Sequence, residues 1–296
     1  MTISKGNTAQ FHDHWFIVPL LMICLSLPLG AAEPSIAEKS ADQNHEASPT
    51  LKTVLSDGAE IWTSPFNLKW KHVALAGATL AVTAVLIAND ESIYRSFHDY
   101  RDQHKWVRDW SPHATQLGVF AVPYGISGAF VLGGLVFGDD YARNTGWLAI
   151  EAMLHSGLVV QLGKHLSGRQ RPFYENGVDS WVGPAGFFKR YQTGDSFSHF
   201  DAFPSGHTVT IFSLATVIAS RYPRPFVVPL ICYAAATISG LSRLTEGDHW
   251  MSDVFVAAVL GYAVGRMVVR NQKRRNLQVM PLAGNGTLGF SFTLLR

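Results

Sequence analysis

Apolar positions in this chain gather into long runs, and the charges fall in the gaps between them. Six runs follow one another at residues 72–88, 117–137, 147–166, 207–220, 226–241 and 253–269. The run at 117–137 is the cleanest, with 21 residues and no charge. A bilayer core of about 30 Å takes roughly 20 helical residues, so this run can span. Most of the others are shorter or carry polar groups such as Glu151 and His155. A buried helix of a soluble all-α protein reads the same way. The pattern predicts an all-α, six-helix bundle, read here as transmembrane. The gap at 89–113 holds Arg95, Arg101, Lys105 and Arg108 and reads as a charged loop.

The two ends of the chain read differently. Residues 15–32 form another apolar run that closes on Leu29-Gly30-Ala31-Ala32. Small residues there fit a signal-peptidase site, so 1–32 reads as a signal peptide or N-terminal anchor. Residues 33–68 are polar and read as a linker with one short amphipathic turn near 51–62. The helical domain then covers 69–270. Residues 271–296 read as a basic tail, with Lys273, Arg274 and Arg275 following Arg270, and a short β-hairpin. Apolar alternation around Asn285-Gly286 carries the hairpin signal. The Gly-, Phe- and Ser-rich segment between Pro172 and Phe203 is long for a turn, and loops of that length are usually functional.

Composition supports the membrane reading. Charged residues make up 16% of the chain, against about 25% in an average soluble domain. Mean hydropathy is only +0.11, low for a chain made mostly of spanning helix. A net charge of +2 with no basic, aromatic-interleaved stripe excludes a nucleic-acid binder. Cys24 and Cys232 lie in apolar runs without metal-ligand spacing.

Three polar clusters sit at the ends of apolar runs. In the first, Lys164 precedes Arg171 by seven residues, nearly two helical turns, so both can converge on an anion. Pro172 ends that helix. The second, Pro204-Ser205-Gly206-His207, opens an apolar helix whose N-terminus offers free N–H groups to an anion. Ser205 can cap the helix or donate to a phosphate oxygen, and His207 can protonate a leaving alkoxide. In the third, Arg243 precedes His249, and His249 and Asp253 stand at i and i+4. A carboxylate so placed can accept from one imidazole N–H and leave the other nitrogen as a nucleophile. Asp248 and Glu246 lie close enough to tune that histidine. Glu151 and His155 read as helix packing. His165 points off the Lys164 face.

The combination Lys-x6-Arg-Pro, Pro-Ser-Gly-His and Ser-Arg-x5-His-x3-Asp closely resembles the type 2 phosphatidic acid phosphatase (PAP2) superfamily, which includes vanadium haloperoxidases. Every fixed position is present, and the resemblance covers about residues 70–270. It implies a nucleophile at His249 that forms a phosphohistidine, oriented by Asp253. It implies that His207 protonates the leaving group and then activates water. The implied phosphate clamp is Lys164, Arg171, Ser205, Gly206 and Arg243, without a metal. The implied architecture gathers the clusters at one end of the bundle.

The expected activity is hydrolysis of a lipid phosphate or diphosphate at a membrane, with no cofactor. A soluble periplasmic acid phosphatase and a vanadium-dependent haloperoxidase, which would bind vanadate, are the alternatives. The basic tail, if cytoplasmic, puts the clusters on the periplasmic face. A translocated N-terminus followed by six spans would put them inside, so either the first run is not an exported signal or one run does not span. The expectation adopted is a site facing the periplasm.

Overall fold

A computed structural model describes residues 48–67, 69–174, 177–186, 199–284 and 287–294. The expected signal or anchor at 1–32, most of the 33–68 linker's first half and the middle of the 172–203 segment lie outside the described residues. The helices are α1 Leu51–Thr63, α2 Trp70–Gln103, α3 Lys105–Gln116, α4 Ala121–Phe137, α5 Asp140–Ser167, α6 Gly206–Arg221, α7 Val227–Thr245 and α8 Met251–Asn276. Leu277–Gly284 (β1) and Thr287–Leu294 (β2) follow as antiparallel strands, with Leu277 opposite Leu294 and Gly284 opposite Thr287.

Local chemistry accounts for several of these boundaries. Asp139 caps α5 by accepting the Ala142 N–H at 2.9 Å, and Gly168 ends it in the left-handed region at φ 51°. Ser205 caps α6 by accepting the Thr208 N–H at 3.4 Å. Thr50 and Thr53 exchange side-chain and backbone hydrogen bonds in a capping box that opens α1. The core lies where α5, α6, α7 and α8 meet, around Leu148, Ala152, Val217, Ala236 and Val268. Gly261 and Gly265 let α8 approach α6 closely. A Cβ on the first would stand 2.7 Å from the Val209 carbonyl, and one on the second 2.9 Å from Thr216 Cβ.

Two expected segment boundaries need correcting. Residues 89–113 are not a loop, because α2 continues to Gln103 and α3 runs from Lys105 to Gln116. Their polar residues fooled the pattern because Asp90 and Ser111 turn inward to buried polar partners. The basic residues 270–275 belong to the last turns of α8 rather than to a separate tail. Arg275 reaches Asp57 of α1 at 2.6 Å, and Arg270 reaches Glu60 at 2.8 Å.

Three helices, α2, α7 and α8, are long and apolar enough to cross a membrane. The α3–α4 pair, bent by 48°, makes a fourth if it counts as one span. The expected six spans are therefore three or four among the described residues. The α5 helix falls short because it carries polar groups such as Glu151, and α6 because it has only 16 residues. Leu75, Leu80 and Val85 of α2 point outward, as a lipid-facing helix requires.

Candidate active site

The C-terminal ends of α5 and α7 and the N-terminal ends of α6 and α8 come together at one end of the bundle. Together they bring in the three polar clusters, the third shared between the end of α7 and the start of α8. Lys164, in the last turn of α5, is buried, and its Nζ donates to Asp201 Oδ2 at 3.1 Å. Arg171 follows the Gly168 turn. Its Nε donates to Asp201 Oδ1 and its NH1 to Asp248 Oδ1, both at 2.9 Å. Arg243, near the end of α7, donates through NH2 to Asp248 and through NH1 to Thr115 Oγ1 at 3.1 Å. Cations and carboxylates thus alternate: Lys164, Asp201, Arg171, Asp248, Arg243.

His249 sits beside this chain of charges and is almost wholly buried. Its Nδ1 lies 2.7 Å from the Ala202 carbonyl, which assigns the ring hydrogen to Nδ1. Its Nε2 is buried and has no hydrogen-bond partner among the described residues. Burial, with Arg171, Lys164 and Arg243 close by, holds the imidazole pKa well below its ordinary value. A neutral ring with a free Nε2 lone pair is the form that can attack phosphorus.

The expected hydrogen bond from His249 to Asp253 is not formed, since Nδ1 and Asp253 Oδ2 are 3.6 Å apart. The i, i+4 argument assumed one continuous helix, but α8 begins at Met251 and His249 precedes it. Asp253 instead accepts the Trp250 N–H through Oδ2 at 2.8 Å and Arg169 NH1 through Oδ1 at 2.5 Å. It fixes the turn that carries His249 rather than the ring itself. The Asp253 carbonyl also accepts the Ser205 N–H at 3.2 Å, which stitches the second and third clusters together.

Ser205 is fully buried, and its Oγ takes the Thr208 N–H and the Thr208 hydroxyl at 3.0 Å. The geometry therefore uses it as a helix cap. Gly206 faces Lys164, so that a Cβ there would lie 3.8 Å from Nζ. His207 is half-buried at the first turn of α6. Gly118 packs so closely on it that a Cβ would meet His207 Cβ at 2.9 Å. Burial, reinforced by Arg243, pushes the His207 pKa down to about 4. Burial alone would raise the Asp201 carboxyl, but Lys164 and Arg171 prevail and bring it to about 2.

Sequence reasoning missed Asp201, Asp90 and Arg169. Arg169 is fully buried and binds Asp90, Asp179, Ser252 and Asp253, with Trp181 on its guanidinium at 4.4 Å. That Arg169 is the one arginine among the six residues between Lys164 and Arg171 was the only available signal for it. Glu151 and His155 stand apart from the site, against α1, where His155 Nε2 meets the Val54 carbonyl at 3.2 Å. Glu246 pairs with Arg101 at 3.7 Å. Among the described residues no group of three or more His, Cys, Asp or Glu is arranged to hold a metal ion.

Residues 145–277 match the model of the PAP2 superfamily. A lipid A 1-phosphatase of Rhizobium johnstonii is 32% identical over 111 residues, covering 37% of this chain and 40% of that protein. A probable diacylglycerol pyrophosphate phosphatase 1 of Schizosaccharomyces pombe is 26% identical over 239 residues, covering 68% of this chain and 83% of that one. The chain spans less than half the length of the lipid A 1-phosphatases it matches. The crystal structure of a transmembrane PAP2 type phosphatidylglycerolphosphate phosphatase from Bacillus subtilis has a similar fold. It superposes with a TM-score of 0.53 at 20% identity, covering 70% of this chain and 98% of that one.

Proposed function

We propose, on the premise that residues 145–277 match the model of the PAP2 superfamily, that this chain is a metal-independent phosphatase of that kind. Its substrate is a lipid phosphate or diphosphate, and its intermediate is a phosphohistidine on His249. The observation that carries the reading is the buried, unpartnered Nε2 of His249 beside Lys164, Arg171 and Arg243. Three cations from three elements suit an oxyanion whose charge spreads over several oxygens in the transition state. A free imidazole nitrogen beside them supplies the nucleophile.

In the first step the Nε2 lone pair forms a bond to phosphorus as the bond to the leaving oxygen breaks. His207 donates its proton to that oxygen. In the second step His207 takes a proton from water, the oxygen attacks phosphorus, and the N–P bond breaks to release inorganic phosphate. The depressed pKa of His207, about 4, belongs to a site holding cations without substrate. A phosphoryl dianion set among the same cations offsets their field and raises it toward the value a general acid needs. Asp253 and the Ala202 carbonyl hold His249 in register for the attack.

Lipid substrates are the reading because the site lies at one end of helices that are apolar on their outer faces. The names of the relatives set the panel: a lipid A 1-phosphate, diacylglycerol pyrophosphate and phosphatidylglycerophosphate. We orient the catalytic end toward the periplasm because the opposite end of α8 carries Arg270, Lys273, Arg274 and Arg275. Such a basic cluster favours the cytoplasmic side.

The test uses full-length protein in detergent, with EDTA present, and measures phosphate release from the lipid panel beside a water-soluble monoester. Release from a lipid, lost in His249→Ala and accompanied by acid-labile phosphate on the trapped wild-type protein, is expected. Undiminished turnover by His249→Ala would overturn the mechanism. Release mainly from the soluble ester would overturn the lipid assignment.

A further inference from the structure

We propose that Asp248 is a displaceable counter-anion: it holds Arg171 and Arg243 between turnovers, yields them to the phosphoryl group and retakes them as inorganic phosphate leaves. The inference rests on the phosphatase reading above, because it concerns how that site lets its product go.

The two carboxylates in the clamp differ in depth. The Asp201 side chain is 14% exposed and is gripped from the protein side by Lys164 Nζ and Arg171 Nε. The Asp248 side chain is 33% exposed and bonds Arg171 NH1 and Arg243 NH2. Those terminal guanidinium nitrogens are the donors a phosphoryl oxygen would use in a forked contact. Asp248 and a bound phosphate therefore compete for the same hydrogens. Asp201 takes Arg171 through Nε instead and acts as a fixed counterion.

Backbone geometry allows the exchange to be a side-chain event. The Asp248 N–H donates to the Arg243 carbonyl at 3.0 Å, and Phe173 N–H donates to the Gly247 carbonyl at 3.0 Å. Gly247, at φ 73°, makes the turn that this pinning requires. With the main chain held, only the two side-chain torsions of a short aspartate need change. Its neighbour His249 stays in place, tied to the Ala202 carbonyl.

Charge gives the exchange its purpose. Lys164, Arg171 and Arg243 against Asp201 and Asp248 leave one net positive charge around a neutral His249. A clamp lacking Asp248 would carry two, in a half-buried site where such fields are poorly screened. Inorganic phosphate makes the same contacts as the transferred group, so uniform tightening would hold product as well as substrate. Product release limits many evolved enzymes, and a carboxylate waiting beside the arginines shortens that step.

The experiment is calorimetric titration of inorganic phosphate into full-length protein in detergent, for wild type, Asp248→Asn and Asp248→Ser, each with a melting curve. Removing the charge is expected to lower the Kd for phosphate at least tenfold. The inhibition constant of phosphate and the KM for lipid should fall with it, while kcat drops. Asp248→Glu should return all four toward wild type. A structural role alone would weaken phosphate binding and leave kcat and KM unsplit. Unchanged or weaker phosphate binding in whichever neutral variant melts like wild type would overturn the proposal, even if wild type hydrolyses lipids. Absence of both phosphate binding and lipid turnover in wild type would instead sink the phosphatase reading, and this inference with it.

Discussion

Asp90 and Arg169 meet 2.7 Å apart as a fully buried ion pair, although 79 residues separate them in the chain. Asp90 lies on α2, outside the stretch that matches the family model, and Arg169 lies inside it. Asp90 also accepts the Ser252 N–H at 3.0 Å, and Arg169 binds Asp253. The first long helix is therefore fastened to the turn that presents His249.

Breaking that fastening should cost stability and rate together. Arg169→Met would leave buried Asp90 and Asp253 without their shared cation, and stripping one partner from a buried pair costs about 3–5 kcal/mol. Arg169→Lys keeps the charge but cannot reach Asp90, Asp179, Ser252 and Asp253 at once, so an intermediate loss is expected. Thermal unfolding in detergent, run beside lipid turnover, checks both. Wild-type melting of Arg169→Met would mean that the pair is energetically idle.

Asp253→Asn should be far milder than His249→Ala. The ring hydrogen of His249 is held by a backbone carbonyl at 2.7 Å, which no side-chain substitution removes. Asparagine retains an oxygen for the Trp250 N–H and loses the charge facing Arg169. A fall in kcat of about 10- to 100-fold is expected, in the range of changes to groups that support a reactive residue, with His249→Ala at background. Equal loss in both variants would show that Asp253 acts on the ring directly.

These two predictions mark what was and was not legible in the sequence. Lys164, Arg171, Ser205, Gly206, His207, Arg243, His249 and Asp253 could be picked out because each motif is local and sits beside an apolar run. Partnership could not. The carboxylate that meets Lys164 and Arg171 is Asp201, in a stretch with no periodicity, and Asp90 stood in a segment polar enough to pass for a loop. The same polarity that hid α2's second half is what ties it to the site. The i, i+4 spacing of His249 and Asp253 suggested a hydrogen bond because it could not reveal that the helix starts two residues after the histidine.

Acid should erode the active-site histidines' contribution to stability in a definite window. The folded pKa of His207 is depressed to about 4 from an ordinary 6.5, and that of His249 is lower than ordinary too. Below pH 6.5 the unfolded chain takes up protons that the folded one refuses, so stability falls as pH falls. His207 alone should contribute on the order of 3 kcal/mol of loss by about pH 4. Asp201 acts in the same direction at lower pH: its carboxylate, at about 2, contributes stability that is intact above the ordinary aspartate range and is lost only as pH falls below it. Between pH 6.5 and 4 the two histidines therefore give up stability while Asp201 still keeps its own. Melting temperatures of wild type and His207→Gln across that window are the check. A slope unchanged by His207→Gln would show that the residue is not held neutral.

The glycines between α6 and α8 connect packing to catalysis. A Cβ on Gly261 would stand 2.7 Å from the Val209 carbonyl and 2.9 Å from Phe212 Cβ, closer than atoms tolerate, so Gly261→Leu must push the two helices apart. Overpacking of this kind typically costs about 1–3 kcal/mol. It also has a catalytic consequence, because α6 begins at the Ser205 cap and α8 carries Asp253. Their link, Ser205 N–H to the Asp253 carbonyl at 3.2 Å, has no slack for a shift of an ångström. Gly133→Ala on α4, where a Cβ meets nothing within 4 Å, is the control and should be neutral or slightly stabilising. Gly261→Leu is expected to lower both melting temperature and kcat, and Gly133→Ala neither. If Gly261→Leu melted lower yet turned over lipid at the wild-type rate, the two helices could separate without disturbing the site, and the Ser205–Asp253 link would lose its assigned role.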